Sequence, residues 1–306
     1  MPHGTCAGRD LFPADFGYVR AASLAQALSL LSDAAAADED VKLLAGGQSL
    51  LPMMKLRLAT PQTLIDIGGL AELTGVSAGA AGTTSIGALT TYRALQHDPH
   101  IAAAFPAMTD ALAVLADQQV RARGTVGGCV AHGDPAADLP AVLLALAASV
   151  TLTSQHGTRT VPLDDFLQGV FATDLAADEV VTAVTLPPAP PGQAYEKFEQ
   201  PASHLPLAGV CAVVAMSDGV ITSAGVAVTG VAGRAFRALD SERSLASARP
   251  TAAVIGAAAS QVAAGVRALS DQHASGPFRL HLAEVLARRA LTRAIERADG
   301  TPQCLD

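Results

Sequence analysis

The spacing of apolar residues alternates between a helical and a strand-like pattern along the first 90 residues. Leu24, Leu28 and Leu31 recur at i, i+4 and i+7, which predicts a helix over residues 21–37. Three short apolar runs follow, and each is typical of a strand. These runs are VKLLA (41–45), TLIDIGG (63–69) and TTSIGAL (83–89). The pattern predicts an α/β organisation for this part of the chain.

The middle of the chain changes from helices to a pair of strands. Residues 105–116 predict a helix with Pro106 in its first turn, a position that tolerates proline. A glycine-rich segment then leads into the aliphatic helix LPAVLLALAA, which the acidic residues Asp134 and Asp138 precede. SVTLTS (149–154) alternates as a strand, and TRTVPL returns after a glycine turn.

A proline-rich segment separates the two halves of the chain. LPPAPPGQ (186–193) contains four prolines, which neither a helix interior nor a central strand accommodates. We therefore expect one domain over residues 1–186 and a second over residues 187–306. The first domain is expected to contain two subdomains, about 1–60 and 61–186.

The second half combines a hairpin with helices. The alternating runs AGVCAVVAM and GVITSAGVAVTGV flank Asp218-Gly219, a strong hairpin signal. Helices are expected over about 251–269 and 277–298, the second with an apolar stripe opposite a solvated arginine side. The stripe comprises Phe278, Leu282, Val285 and Leu286, and the arginines are Arg279, Arg288, Arg293 and Arg297. This half predicts an α+β domain.

Composition limits the class of protein. Hydrophobic residues make up 50% of the 306 residues and charged residues 16%, so large buried cores are expected. The net charge of −8, without a long basic run, argues against a nucleic-acid-binding protein. We expect no transmembrane segment and no secretory signal, and hence a cytoplasmic location. The four cysteines lack zinc or iron–sulfur spacing, so no metal site is expected on this chain, and Cys211 is expected to be a small buried hydrophobe.

The segment AGGQS, Ala45 to Ser49, is the first candidate for chemistry. It directly follows an apolar strand, and its two glycines lack a Cβ, so an oxygen-rich ligand could approach their amides. Gln48 and Ser49 could add side-chain donors. An ordinary tight turn explains the same residues, and the segment matches neither GxGxxG nor a phosphate loop ending in GK[ST].

A second glycine pair strengthens the phosphate hypothesis. TVGG, Thr125 to Gly128, again joins a hydroxyl to two glycines, and His132, Asp134 and Asp138 follow closely. Two such loops could hold one diphosphate from both sides, and a nearby carboxylate could bind sugar hydroxyls. The pattern favours a dinucleotide cofactor. Alternatively, Asp134 and Asp138 are simply charges placed at the start of a helix.

At this point the sequence resembles a known family. LLAGGQSLLPMMKLRLATPQTLIDI and GTVGGCVAHGDPAADLPAVLLAL look like the two FAD-binding signatures of the medium subunits of molybdenum hydroxylases, of the carbon monoxide dehydrogenase and xanthine dehydrogenase type. ASGPFRLHLAEVLARRAL looks like the family's closing helix. The resemblance implies an α+β protein: a two-subdomain α/β FAD-binding domain (PCMH-type), then an α+β domain with an antiparallel sheet packed by helices.

The resemblance also implies a function and a set of partners. FAD on this chain would take electrons from the [2Fe–2S] clusters of a small subunit and pass them to an external acceptor. A large subunit would carry the molybdenum cofactor and bind the substrate, and a dimer of heterotrimers is expected. No side chain of this chain is expected to act as a catalytic acid, base or nucleophile.

The family's cofactor contacts map onto three groups of residues here. The first loop corresponds to Leu43, Leu44, Ala45, Gly46, Gly47, Gln48, Ser49 and Leu50. The second corresponds to Thr125, Val126, Gly127, Gly128 and Cys129, with His132 and Asp134 after it. Asp138 matches a carboxylate that binds FAD hydroxyls, Lys197 a lysine near the flavin, and Val181 an apolar position near the cofactor.

Several positions depart from the family pattern. Cys129 stands where asparagine or serine is usual, Gln200 and Pro201 where basic residues are common, and Leu205 where many relatives carry a tyrosine. Two other functions therefore stay open. The chain could be a non-catalytic assembly subunit whose flavin site has decayed. It could also be a stand-alone flavin oxidase, with His156 or Cys129 as a covalent flavin anchor.

Overall fold

The computed structural model describes residues 12–300 of the chain. Its strands are β1 (Gly17–Arg20), β2 (Val41–Leu44), β3 (Thr63–Asp66), β4 (Val76–Ala78), β5 (Thr84–Gly87), β6 (Ser149–Ser154), β7 (Gly157–Pro162), β8 (Leu167–Gly169), β9 (Ala172–Thr173), β10 (Val180–Leu186), β11 (Gly192–Glu199), β12 (Pro206–Ser217), β13 (Val220–Thr229) and β14 (Phe236–Arg237). Its α-helices are α1 (Leu24–Ala36), α2 (Leu50–Lys55), α3 (Tyr92–Gln96), α4 (Pro99–Ala104), α5 (Pro106–Val114), α6 (Gln118–Arg123), α7 (Val126–His132), α8 (Asp138–Ala145), α9 (Leu163–Phe166), α10 (Leu239–Leu245), α11 (Ala252–Ser260) and α12 (Gly276–Ala298).

The first sheet is a small parallel one with strand order β1-β3-β2. Helix α1 crosses between β1 and β2 and begins after Ser23, whose hydroxyl accepts a hydrogen bond from the N–H of Gln26. Its buried face includes Leu28 and Leu31, which pack with Ile65 of the central strand. Since β3 is the middle strand, this α/β unit extends beyond residue 60, where the sequence placed the end of the first subdomain.

The second sheet is antiparallel, with strand order β4-β5-β10-β6-β7. It packs in the largest core of the described chain together with α5 and α8. All eight residues of α8 are buried, as expected for a helix that is apolar on every side. This helix therefore forms the centre of the molecule rather than its surface.

The third sheet has strand order β11-β12-β13-β14 and is covered on both faces. Along β12, Cys211 and Val213 contact the core around α8, whereas Val210, Ala212 and Val214 contact the core around α12. The alternation follows from the two-residue period of a strand. Burial of both faces explains why the run AGVCAVVAM is almost continuously apolar, and Cys211 is fully buried as expected.

The tight turn between β12 and β13 has the backbone that its sequence predicts. Asp218 and Gly219 have φ angles of 53° and 70°, so both lie in the left-handed region that a two-residue hairpin turn of this type requires. A smaller hairpin, β8 with β9, has no counterpart in the sequence-based expectations.

The two C-terminal helices differ from their predicted form. Helix α11 ends at Ser260 rather than near residue 269. In α12, Leu282 and Leu286 are buried as predicted, but Phe278 is 43% exposed. Arg279, assigned to the solvated side, is buried and donates to the carbonyl oxygens of Leu207 and Gly230 and to Asp271. The prediction of a uniformly solvated arginine side is therefore wrong.

Ion pairs join the two halves of the chain. Asp110 of α5 accepts hydrogen bonds from Arg293 and Arg297 of α12, with distances of 2.8 to 3.1 Å. The Tyr195 side chain belongs to the same core as α5 and α8. The residues between β10 and β11 thus connect two parts of one packed structure. Between residues 12 and 300, no helix combines the length and apolarity that crossing a membrane requires.

Candidate functional site

A cleft of about 580 Å³ lies between the first sheet and the segments that follow α6 and β9. One wall is formed by the end of α1, β2 and the AGGQS loop, and the other by α7 and residues 175–181. Its volume falls within the range of small-molecule and cofactor sites, about 300–1,000 Å³. Most of the predicted cofactor contacts line it: Leu43, Ala45, Gly46, Gly47, Gln48, Ser49, Leu50, Thr125, Gly127, Gly128, Cys129, His132 and Val181.

The AGGQS loop presents free backbone donors to the cleft. Within the described chain, the N–H groups of Gly46, Gly47, Gln48 and Ser49 donate to no protein acceptor. Gly47 has a φ of 74°, which turns the chain at this point and favours glycine. The Ser49 hydroxyl makes no capping bond to α2. Such a concave group of free N–H donors suits an anion such as a diphosphate.

The first loop lies directly against the second, at a spacing that excludes side chains. A Cβ on Gly46 would overlap the backbone carbonyl of Arg123, at the end of α6. A Cβ on Gly128 would lie 3.9 Å from the Cβ of Ala45. The two glycine-containing segments are therefore neighbours across one end of the cleft, as the sequence analysis expected.

The second loop, however, uses its backbone donors within the protein. The N–H of Val126 donates to Thr90 O at 3.1 Å and that of Gly127 to Ala88 O at 2.8 Å. The N–H of Gly128 donates to the Thr125 hydroxyl at 3.2 Å. TVGG therefore offers the cleft fewer free amides than the first loop, and its contact with a diphosphate stays a prediction. Its glycines instead allow α7 to pack closely, since a Cβ on Gly127 would lie 2.9 Å from Ala88 O.

Asp138 and Lys197 lie apart from the cleft lining and pair with each other. The Asp138 carboxylate accepts from the Tyr195 hydroxyl at 2.8 Å and lies 3.1 Å from the Lys197 ammonium. Lys197 also donates to the carbonyl oxygens of Val114 and His204. Burial raises the pKa of Asp138 to about 6, and the positive charge of Lys197 and the Tyr195 hydrogen bond limit this rise.

The remaining predicted residues divide between the cleft and its surroundings. His132 lines the cleft, and its ring lies 4.9 Å from that of Phe171, measured between centroids. Asp134 lies in the loop before α8 and accepts from the N–H of Ala136. Leu44 and Val126 do not line the cleft, and Val126 is buried in the central core. The Asp134 and Asp138 side chains thus do not line the cleft.

Comparison with known proteins decides the family. A family model described as the FAD binding domain in molybdopterin dehydrogenase matches residues 14–189. The chain belongs to this family. A second model, the CO dehydrogenase flavoprotein C-terminal domain, matches residues 193–294. The chain is 37% identical to the nicotine 6-hydroxylase medium subunit of Paenarthrobacter nicotinovorans, over 90% of this chain and 96% of that one.

Carbon monoxide dehydrogenases are similar in both sequence and structure. The medium chain from Afipia carboxidovorans is 34% identical, covering 94% of this chain and 99% of its own. The structure of carbon monoxide dehydrogenase from Hydrogenophaga pseudoflava, which lacks the Mo-pyranopterin moiety of the molybdenum cofactor, aligns with a TM-score of 0.89. That alignment has 37% identity and covers 94% of this chain and 99% of the other. This chain is accordingly an FAD-binding oxidoreductase subunit.

The residues of the cleft fit the FAD that the family binds. The free N–H groups of the first loop can hold the diphosphate, and the missing side chain of Gly46 lets this loop lie against the Arg123 backbone. Apolar side chains, including Val181 and Leu175, provide the surface that ring systems require. Among residues 12–300, no group of three or more His, Cys, Asp or Glu side chains is arranged to hold a metal ion.

Cys129 lies in the cleft lining. Its thiol is next to the hydroxyl of Tyr92, a cleft residue that the sequence analysis did not identify. Burial raises the pKa of Cys129 to about 12, so the thiol is protonated at neutral pH. Leu205, in contrast, is 42% exposed in the turn that follows β11 and does not contribute to the lining.

Other cleft residues were also missed by sequence reasoning. Phe171 and the segment from Leu175 to Glu179 reach the cleft from the β8–β9 hairpin and the loop after it. They lie more than 40 residues beyond TVGG in the chain, and nothing in their local pattern indicates a cofactor.

Proposed function

We propose that this chain is the electron-transfer subunit of a three-subunit molybdenum hydroxylase. It would receive electrons from the [2Fe–2S] clusters of a small partner subunit and deliver them to an external acceptor. The large partner subunit would carry the molybdenum cofactor and bind the substrate. The observation that carries the proposal is the loop of free N–H donors at the end of a 580 Å³ cleft, in a chain of this family.

FAD, when bound, supplies the redox chemistry, since its ring system exchanges electrons singly or in pairs. The protein's contribution is binding and orientation. Gly46 to Ser49 would hold the diphosphate through backbone N–H groups, which stay in place without a side-chain conformational search. The apolar lining would exclude water from part of the ring surface. The neutral thiol of Cys129 adds no charge to this environment.

The proposed partners follow from the names of the relatives. Nicotine 6-hydroxylase and carbon monoxide dehydrogenase each have a medium subunit or chain similar to this one. We propose the same arrangement here, as a dimer of heterotrimers. The substrate would then be selected by the large subunit, so nothing on this chain distinguishes a heterocycle from carbon monoxide.

A stand-alone flavin oxidase is less well supported by the geometry. A covalent anchor would need a nucleophile in the cleft, and the protonated Cys129 thiol is a poor one. His156, the other candidate, lies in the turn between β6 and β7 and does not line the cleft. A decayed flavin site is also disfavoured, because Cys129 leaves the free donors of the first loop accessible.

The experiment that tests the proposal has two stages. First, the flavin-free chain is titrated with FAD, and about one equivalent is expected to bind without a covalent bond. Second, the chain is co-purified with the products of neighbouring genes, and the mass of the assembly and its flavin reduction by substrate are measured. Lack of FAD binding would contradict the flavin role. Binding without co-purification of a molybdenum subunit would contradict the proposed assembly.

A further inference from the structure

Phe171 is a large apolar side chain exposed at the cofactor cleft. It is 57% exposed and forms part of the cleft lining, on the opposite wall from the AGGQS loop. Burying an aromatic ring is strongly favourable, so a ring left open beside a cleft is expected to gain a contact when the cleft is filled. The question is which part of the ligand provides that contact.

The orientation of Phe171 is fixed by the backbone around it. Its φ of 51° lies in the left-handed region, which a bulky residue adopts only when the surrounding structure holds it there. The N–H of Phe171 donates to Gly133 O at 3.1 Å, which ties the β8–β9 turn to the end of α7. The His132 ring supports the phenyl ring at 4.9 Å, with the two planes tilted by 39°. The ring is therefore presented in advance of binding.

Helix α7 relates this aromatic pair to the diphosphate loop. Gly128, near the start of α7, lies next to Ala45 of the first loop. His132 follows four residues later, about 6 Å further along the helix axis. A ring attached to the diphosphate through a sugar or sugar alcohol can reach this distance. The aromatic pair thus lies about one helical turn along α7 from the point where this helix meets the AGGQS loop.

We propose that the phenyl ring of Phe171, supported by His132, stacks on a planar heteroaromatic ring of the bound dinucleotide. The contact would be offset-stacked, the arrangement preferred by aromatic pairs. This inference rests on the FAD role of the cleft. It adds a specificity contact, because the diphosphate loop alone does not distinguish FAD from other dinucleotides. The ring is either the isoalloxazine or the adenine, and the two sources are separable by experiment.

The test compares two Phe171 variants with a control at a distant phenylalanine. FAD, FMN and ADP are titrated into the flavin-free wild type, Phe171→Ala, Phe171→Tyr and Phe278→Ala. Phe278 is also exposed but lies on α12, away from the cleft. Phe171→Ala is expected to weaken FAD binding about tenfold, as for loss of a stacked aromatic ring. Phe171→Tyr should retain wild-type affinity, since it keeps the ring, and Phe278→Ala should bind as the wild type does.

The two fragments identify the ring. Weaker binding of FMN alone to Phe171→Ala assigns the contact to the isoalloxazine, and weaker binding of ADP alone assigns it to the adenine. If Phe171→Ala binds FAD, FMN and ADP as tightly as the wild type, the stacking proposal is wrong while the FAD role stands. If the wild type itself binds none of the three, both fail. Since the Phe171 side chain is exposed, the flavin-free Phe171 variants should melt at the same temperature as the wild type. The melting temperature therefore serves as the folding control.

A tryptophan reporter provides an independent readout. The chain contains no tryptophan, so Phe171→Trp introduces a single one. An indole in contact with the isoalloxazine quenches flavin fluorescence through electron transfer, so strong quenching with Phe171→Trp and none with Phe278→Trp would support the isoalloxazine contact. Where the fragments point to the adenine, quenching is expected to be weak. If flavin emission in Phe171→Trp equals that in the wild type, and the affinities for FAD and ADP are also unchanged, the proposal is overturned.

Discussion

Gly46 and Gly127 belong to the two proposed cofactor loops, yet their missing side chains serve different purposes. At Gly46 the absent Cβ lets the AGGQS loop lie against the Arg123 carbonyl, and the Gly46 N–H donates to no acceptor in the described part of the chain. At Gly127 the absent Cβ allows α7 to pack close to Ala88, and the Gly127 N–H donates to the Ala88 carbonyl oxygen. Substitutions at the two positions should therefore have different effects, on binding at the first and on folding at the second.

Gly46→Ala is expected to weaken FAD binding by at least tenfold, since the new Cβ must displace the loop from Arg123. A tenfold loss corresponds to about 1.4 kcal/mol. The measurement is a titration of the flavin-free protein with FAD. Gly256→Ala is the matched control, because nothing lies within 4 Å of the site of its Cβ.

As a glycine inside α11, Gly256 should tolerate alanine and even gain roughly 0.5–1 kcal/mol of stability. Equal FAD affinity of Gly46→Ala and the wild type would contradict the assignment of the first loop as the diphosphate site.

Asp138 carries a buried charge at a cost to stability. Its pKa in the folded protein is raised from an ordinary value of 3.8 to about 6. Between these pH values the folded state holds a proton that the unfolded state has released. Stability therefore falls as pH rises from about 4 to 6, in total by about 3 kcal/mol. The ionised form of Asp138 therefore lowers the stability of the folded protein at neutral pH, so stability does not explain why this residue is an aspartate.

Asp138→Asn is expected to remove this pH dependence. Asparagine resembles the protonated acid, so the variant should be as stable as the wild type near pH 4 and more stable by up to about 3 kcal/mol at pH 7. Urea unfolding at pH 4 to 7 measures the difference. Lys197→Met is the opposing control, since it leaves the carboxylate buried without its cation and should destabilise the protein most at neutral pH. If the stability gained by Asp138→Asn over the wild type is smaller at pH 7 than at pH 4, the pKa of Asp138 is not raised in the folded protein.

At the scale of elements, a clamp holds the segment that closes the cleft. Arg159 of β7 donates to both carboxylate oxygens of Glu179, at 2.6 and 2.7 Å, and to Asp174 at 2.6 Å. Glu179 also accepts from the N–H of Ala176. Arg159 holds the pKa of Glu179 below its usual range, so the clamp stays charged at neutral pH. The loop between β9 and β10 is thus tied at both ends.

Arg159→Gln is expected to loosen this loop and weaken FAD binding a few-fold, with faster amide hydrogen exchange over residues 174–180. The ion pair between Arg159 and Glu179 is partly exposed, so high salt should screen it and also weaken FAD binding to the wild type. Arg243→Gln, which removes an exposed ion pair with Asp240 on α10, should change neither quantity. Unaltered exchange in Arg159→Gln would show that packing alone holds the loop.

Local sequence was informative wherever local contacts decide the structure. The Asp218-Gly219 turn, the apolar run of β12 and the α1 face at Leu28 follow from propensity and periodicity, which sequence displays directly. The use of the TVGG amides depends on Ala88 and Thr90, about 40 residues away. No spacing rule in the sequence indicates such a contact.

Helix α12 illustrates the same limit. Periodicity predicted its buried Leu282 and Leu286 but not the fate of its arginines. Arg279, Arg293 and Arg297 bind groups that lie far away in sequence, so a charged face that looks solvated is in fact an internal contact. Tertiary partners override the pattern at these positions.

At the scale of the whole molecule, the proline-rich connection does not separate two independent cores. Tyr195, Cys211 and Val213, from the C-terminal sheet, belong to the same core as α5 and α8. Asp110 adds ion pairs to α12 across the same contact. Each buried large side chain of this kind contributes about 1.5–3 kcal/mol, and a domain's net stability is only about 5–15 kcal/mol. Loss of the C-terminal sheet would therefore remove a large part of the stability of the FAD-binding half.

A fragment of residues 1–191 is consequently expected to lack a cooperative thermal transition and to bind an apolar dye, because the faces of α5 and α8 become exposed. Co-expression with residues 192–306 should restore both the transition and FAD binding. The control is an intact chain with a short Gly-Ser insertion directly after the exposed Pro188, which should fold normally because lengthening a connection at an exposed position costs little. If the isolated fragment unfolds cooperatively and binds FAD like the intact chain, the halves are separable units, and the shared core is a contact between domains rather than a condition for folding.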